Sequence, residues 1–176
     1  TEKPAAKPTT PTPKPAEKGI SYEKSLPLDL LPYAIRNDKY IPIGSAFHIG
    51  NGEFLTAGHV MALDNEALLN PLYIRDSEKK VYEVDQILSY ASNRDFVIFT
   101  VKNFKPEQKL ELNLKPQSKM NEVVYTVGNA LGEGVVIREG LLTSETPEPE
   151  NGEWNYLRFS AAASPGNSGG ALLDKE

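Results

Sequence analysis

Three short stretches hold the residue types of acyl transfer: FLTAGHV around His59, SNRDFVIFTV around Asp95 and SPGNSGG around Ser168. A serine hydroxyl is a weak nucleophile at neutral pH. It needs a base within hydrogen-bond reach and an acid that orients the base. His59, placed just past an apolar strand, would remove the Ser168 proton and pass it to a leaving amine. Asp95, desolvated by the apolar strand it precedes, would accept the other ring N–H. The glycines beside Ser168 let backbone N–H groups converge where a carbonyl oxygen becomes an anion. Gly166 and Ser168 are the expected donors of that oxyanion hole, with Asn167 between them as a further member. One such donor is typically worth about 10²–10³ in rate.

Each residue also has a plain reading. A lone histidine more often packs or caps, an aspartate before a strand is usually a turn residue, and GNSGG alone could be a loop. Asp76 and Asp85 are rival acids, but Asp76 sits in a charged turn and Asp85 inside an alternating strand. His48, in AFHI, reads as structural, and Asn151-Gly152 as a turn.

The elements that must position these residues are strands punctuated by turns. Ile41–Ile49 and Glu53–Ala57 flank GNG, a hairpin signal. HVMALDNEALLN is a short helix or an irregular loop. Leu72–Arg75, Val81–Tyr90 and Asp95–Val101 follow as strands. The polar stretch from Lys102 to Glu122 joins two halves, and Val123–Val127, Val135–Ser144, Trp154–Ala162 and Gly169–Asp174 make up the second. Many short strands between Gly/Pro turns predict an all-β sandwich or pair of barrels, and about four strands are too few to close the second.

LTAGHV, RDFVIFTV and SPGNSGGALL resemble the histidine, aspartate and serine boxes of the chymotrypsin-fold (trypsin-like) serine proteases. The proline before GNSGG, together with YTVGNALGEGVVIREGLLTS, resembles the HtrA/Deg branch. The resemblance covers roughly Gly44 to Asp174. It implies two six-stranded antiparallel β-barrels, the second incomplete in this chain. Residues 22–104 would form the first barrel, 105–119 the joint and 120–176 the partial second barrel. It also implies a serine endopeptidase with His59 as base, Asp95 as its partner and Ser168 as nucleophile.

Departures from the family sharpen the expectation. Asn167 stands where digestive members carry the acid that pairs with a new N-terminus, so no zymogen switch of that kind is expected. Ala162, six residues before the nucleophile, takes the place at the pocket base where an aspartate would select Lys or Arg. With Ala163 and Ser164 it makes up the expected substrate-binding segment, suited to small or medium apolar side chains. In the family several dozen residues follow the serine. A C-terminal remainder or a second chain is therefore expected to complete the barrel. The alternative reading is a protease-like but inactive binding or scaffold module. An α/β-hydrolase esterase is rejected, because no histidine follows Ser168.

Composition excludes other classes. The 176 residues carry a net charge of −5 with no basic stripe, which argues against nucleic acid as a partner. There is no cysteine and there are two histidines, so neither thiol chemistry nor a metal site is expected, and no cofactor. No apolar run is long enough to span a membrane. Residues 1–21, rich in Pro, Lys and Thr, read as an extended linker that cannot repay its ordering entropy by burial. Together with the resemblance, this suggests a bacterial cell-envelope protein, periplasmic or secreted, tethered through the linker.

Overall fold

Alternation of buried and exposed residues is the dominant pattern of the strands. In Phe96–Val101, the side chains of Val97, Phe99 and Val101 are buried, and in Glu53–Ala57 those of Phe54 and Thr56. Such period-two burial fits antiparallel strands with one face on a core. The computed structural model describes residues 31–36, 39–42, 44–61, 72–114, 119–130 and 134–175. The expected linker over 1–21 lies outside them, as do residues 62–71, most of the stretch read as helix or loop.

Seven strands form the first sheet: β1 (Leu31–Arg36), β2 (Lys39–Pro42), β3 (Phe47–Gly50), β4 (Glu53–Ala57), β5 (Leu72–Arg75), β6 (Val81–Ala91) and β7 (Phe96–Val101). Their order is β2-β1-β5-β6-β7-β4-β3, antiparallel throughout. A single helical turn, α1 (Gly58–Met61), follows β4. The second sheet holds β8 (Val123–Gly128), β9 (Val136–Pro147), β10 (Asn155–Phe159) and β11 (Ala171–Leu173), in the order β10-β9-β8-β11. The fold is all-β, and its second barrel is incomplete in this chain.

The expected hairpin is formed. Asn51 and Gly52 both take positive φ, 55° and 79°, the backbone that a tight two-residue turn demands. The single strand expected over Ile41–Ile49 is instead two, β2 and β3. The chain leaves the sheet at Gly44 and Ser45, where Ser45 N–H bonds the carbonyl of Ser168, in the turn before β11, at 2.8 Å. β1 is not among the strands expected from the sequence. Its Pro32 pairs with β5 alone, because the pairing with β2 begins at Tyr33, and a proline fits where one side of the strand is unpaired.

The first core gathers Phe54, Met61, Ile74, Val97 and Phe99, all fully buried. Phe104, after β7, stacks on Tyr82 with ring centroids 4.0 Å apart and extends this core toward the joint. His48 is a structural residue: Gly52 N–H donates to its Nε2, so Nδ1 carries the proton and donates to the Gln108 carbonyl at 2.6 Å. With Leu110 N–H on the His48 carbonyl, these bonds fasten the start of the joint to the β3–β4 hairpin.

The β9–β10 turn is built around the Glu148 carboxylate. Backbone N–H groups, chiefly that of Glu150 and then that of Asn151, lower its pKa against the opposing effect of burial. Its contribution to stability is therefore present above the ordinary glutamate range and is lost as pH falls through the lowered folded-state value. Glu148→Gln is expected to melt below the wild type at pH 7. The gap should close on acidification, as read by thermal denaturation across a pH series.

Candidate active site

Gly58 and His59 in α1 grip Asp95 at three points. Gly58 N–H bonds the Asp95 carbonyl at 2.9 Å, and His59 N–H bonds Asp95 Oδ1 at 2.8 Å. His59 Nδ1 lies 2.7 Å from Asp95 Oδ2. The carboxylate can only accept from the ring, so Nδ1 is the protonated nitrogen and Nε2 keeps its lone pair. Asp95 ends the turn Ser92–Asp95 with φ of +54°, a conformation that aspartate tolerates better than most residues. The sequence suggested a desolvated acid, but the Asp95 and His59 side chains are 51% and 59% exposed. Asp95 stands in the Ser92–Asp95 turn, before β7 begins at Phe96, and so outside the strand whose alternate residues are buried.

The rival acids are placed elsewhere. Asp76 is buried, accepting Lys80 N–H at 2.9 Å and the Tyr82 hydroxyl at 3.0 Å. Burial, and then the bond to Asp76, push the Tyr82 phenol up to about 12. Asp85 is exposed on β6.

The Ser168 loop docks on the strand end that leads to His59. Gly166 and Gly169 bracket it with φ of +99° and +79°. A Cβ on Gly169 would stand 2.2 Å from Thr56 Oγ1, 2.3 Å from the Ser45 carbonyl and 2.8 Å from Ala57 N, two residues before His59. Only glycine fits that contact, and Gly169→Ala must push the loop off β4. The variant is expected to slow any reaction at Ser168 by about 100-fold, as displacements near 1 Å can cost. A peptide-hydrolysis assay beside a melting curve checks this.

Gly166 and Ser168 N–H groups have no intramolecular acceptor among the described residues. Asn167 N–H differs, because it donates to the Ser164 carbonyl at 3.0 Å and so is not available to an oxyanion. Its side-chain Oδ1 is buried and unpaired. No hydrogen bond joins Ser168 Oγ to His59 among the described residues. The structure thus pairs His59 with Asp95 and docks the Ser168 loop beside them.

A cavity of about 490 Å³ opens next to Ser168, with Thr126, Phe159, Ala163, Ser164 and Leu172 in its walls. Of the expected substrate-binding segment, Ala163 and Ser164 line it and Ala162 does not. The chain leaves β10 at Phe159, earlier than the sequence suggested, after a bulge at Arg158. Ala162 is exposed, and its carbonyl takes a hydrogen bond from Arg138 Nη1 at 3.2 Å, while Ser164 Oγ bonds the same nitrogen at 3.0 Å. Sequence reasoning missed Phe159, Arg138 and Ser45. Only Phe159 had a usable signal, as an apolar residue in an alternating strand leading to the serine loop. Among the described residues no cluster of acidic or histidine side chains could hold a metal, and no helix is long and apolar enough to cross a membrane.

The chain is similar to known proteins in sequence and in fold. The chain is 25% identical over 134 residues to a probable periplasmic serine endoprotease, DegP-like, of Buchnera aphidicola subsp. Schizaphis graminum (strain Sg), covering 73% of this chain and 28% of that protein. It is 23% identical over 131 residues to a probable serine protease do-like of Buchnera aphidicola subsp. Acyrthosiphon pisum (strain APS), covering 72% and 27%. It is also 25% identical over 138 residues to the anti-sigma-I factor RsgI9 of Acetivibrio thermocellus, covering 78% and 18%. The chain therefore spans little more than a quarter of the length of the two protease relatives. Its fold is similar to the crystal structure of Deg5, with a TM-score of 0.70 at 20% identity over 87% of this chain and 77% of that one. The trypsin-like peptidase domain matches residues 44–176, so the chain belongs to that family and has the chymotrypsin fold of its HtrA/Deg-like branch.

Proposed function

We propose that the chain is a serine endopeptidase working through an acyl-enzyme. One observation carries the reading: the two-point grip of Asp95 on His59, which fixes the imidazole with Nε2 free, at the strand end where the Ser168 loop docks. Ser168 Oγ adds to the scissile carbonyl carbon as its proton passes to His59 Nε2, and the carbonyl π pair moves onto oxygen. The Gly166 and Ser168 N–H groups receive that oxyanion. Collapse breaks the C–N bond, and His59 returns the proton to the amine. Water then adds to the acyl carbon as His59 takes its proton, the ester C–Oγ bond breaks, and His59 returns that proton to Ser168 Oγ as the carboxylic acid leaves. No metal or cofactor takes part in these steps.

The cavity walls supply mainly apolar groups, and no carboxylate lines them. We infer cleavage after small or medium apolar side chains rather than after Lys or Arg. Residues 22–104 and 120–176 are proposed as the two barrel units, with strands from further polypeptide completing the second. Periplasmic or secreted location is proposed from the printed description of the Buchnera relative. The rival reading, an inactive binding module, draws on the incomplete second sheet and on the relative described as an anti-sigma factor. The intact His59–Asp95 pair favours the enzyme. Hydrolysis of peptides carrying Ala, Val, Leu, Lys or Arg at the cleavage position decides. Cleavage after the apolar residues supports the endopeptidase, and none after any residue by folded protein supports the module.

A further inference from the structure

Ser45 belongs to neither the histidine nor the serine segment, yet it touches both. It is 1% exposed, at the point where the chain leaves the first sheet. Its N–H donates to the Ser168 carbonyl at 2.8 Å, and its hydroxyl donates to the Gly166 carbonyl at 2.7 Å. The same Oγ accepts Asn129 N–H, at the end of β8, at 2.9 Å. Its own carbonyl accepts the Thr56 hydroxyl at 2.7 Å, on the strand that delivers His59.

Gly166 and Ser168 are the two residues whose N–H groups face the oxyanion in the proposed mechanism. Ser45 therefore holds the carbonyl side of both. A backbone carbonyl fixed by a buried hydrogen bond fixes the tilt of its peptide plane and restrains the torsions of its residue. No other described residue bonds both of these carbonyls. Glycine at 166 makes the restraint matter more, because at φ of +99° its backbone has little steric preference of its own. The Asn167 side chain adds no tie through its Oδ1, which is buried and unpaired.

We propose that Ser45 is a positioning residue for the oxyanion hole, setting the nucleophile loop from the opposite sheet and tying it to the strand of the general base. This rests on the endopeptidase reading. Loss of its hydroxyl leaves the Gly166–Asn167 peptide held only through Asn167 N–H on the Ser164 carbonyl, so Gly166 is set less firmly and the transition state suffers while ground-state binding does not.

The test compares Ser45→Ala with wild type in peptide hydrolysis and in inhibition by a peptide boronic acid, whose tetrahedral adduct places an oxygen in the oxyanion hole. Expected are a fall in kcat of about 10- to 100-fold with KM within about threefold, and a weakening of boronate binding that matches the fall in kcat. Ile74→Val, a change on β5 in the first core and outside the residues that bond the loop, controls for stability and should lower the melting temperature without this split. Should Ser45→Ala not fold, Thr56→Val keeps the hydroxyl but frees the Ser45 carbonyl, and must show a smaller loss confined to kcat. An active wild type whose variant keeps full kcat and boronate affinity overturns the role of Ser45 and leaves the endopeptidase reading standing. Equal losses in KM and kcat, or losses shared by Ile74→Val, overturn it as well. A folded wild type inert to substrate and boronate overturns the endopeptidase reading, and the role of Ser45 with it.

Discussion

His59→Ala is expected to lower kcat about 10⁶-fold while the protein stays folded, the scale seen when the base of such a triad is removed. The imidazole is 59% exposed and its one side-chain hydrogen bond goes to Asp95, so its loss opens no cavity in the core. The His59 N–H bond to Asp95 Oδ1 survives the substitution because it belongs to the backbone. The strand end and its turn should therefore keep their geometry. Residual hydrolysis reports what binding and the oxyanion donors supply alone. Single-turnover kinetics with an activated ester, set beside a melting curve, measures both halves of this expectation.

Asp95→Asn should cost about 10⁴-fold in kcat for a different reason. The asparagine oxygen can still accept the His59 N–H now bonded to Oδ1, so the fold of the turn is preserved. The amide NH₂ then faces His59 Nδ1, which must give up its proton to accept. The ring proton moves to Nε2, the nitrogen that takes the proton of Ser168 in the proposed mechanism. The base is thus in place but in the wrong tautomer. Asp95→Ala frees Nδ1 but loses the anchor of the backbone bond at 2.8 Å, and is expected to destabilise the turn as well. A loss of rate in Asp95→Asn with an unchanged melting temperature separates tautomer from fold.

Much of this site can be read along the chain because its parts are local. FLTAGHV and RDFVIFTV each put a polar residue at the boundary of an alternating strand, and strand ends are where a sheet presents side chains to a cleft. GNSGG announces positive φ by composition alone. Ser45 was illegible for the opposite reason. It lies 121 residues from Gly166, in a run that reads as one uninterrupted strand, and a serine in such a run has no signature of a tertiary partner. Asp95 was expected to be buried because the residues after it are apolar; burial depends on which side of the sheet the preceding turn rises, and the sequence does not encode that locally. Phe159 and Arg138 meet the pocket only through the way β10 ends. Asn167 looked like an oxyanion donor by adjacency, yet the turn engages its N–H with Ser164. Local chemistry was legible, and the contacts between distant segments were not.

The most direct measurement is covalent labelling. A serine-directed fluorophosphonate reacts at a nucleophilic Oγ with loss of fluoride, leaving a phosphonyl ester, and needs the base and oxyanion donors but no peptide recognition. Intact mass followed by peptide mapping should find a single adduct, on Ser168, and none in Ser168→Ala. A folded wild type that takes up no label, or that is labelled equally well in Ser168→Ala, would contradict the assignment of Ser168 as nucleophile.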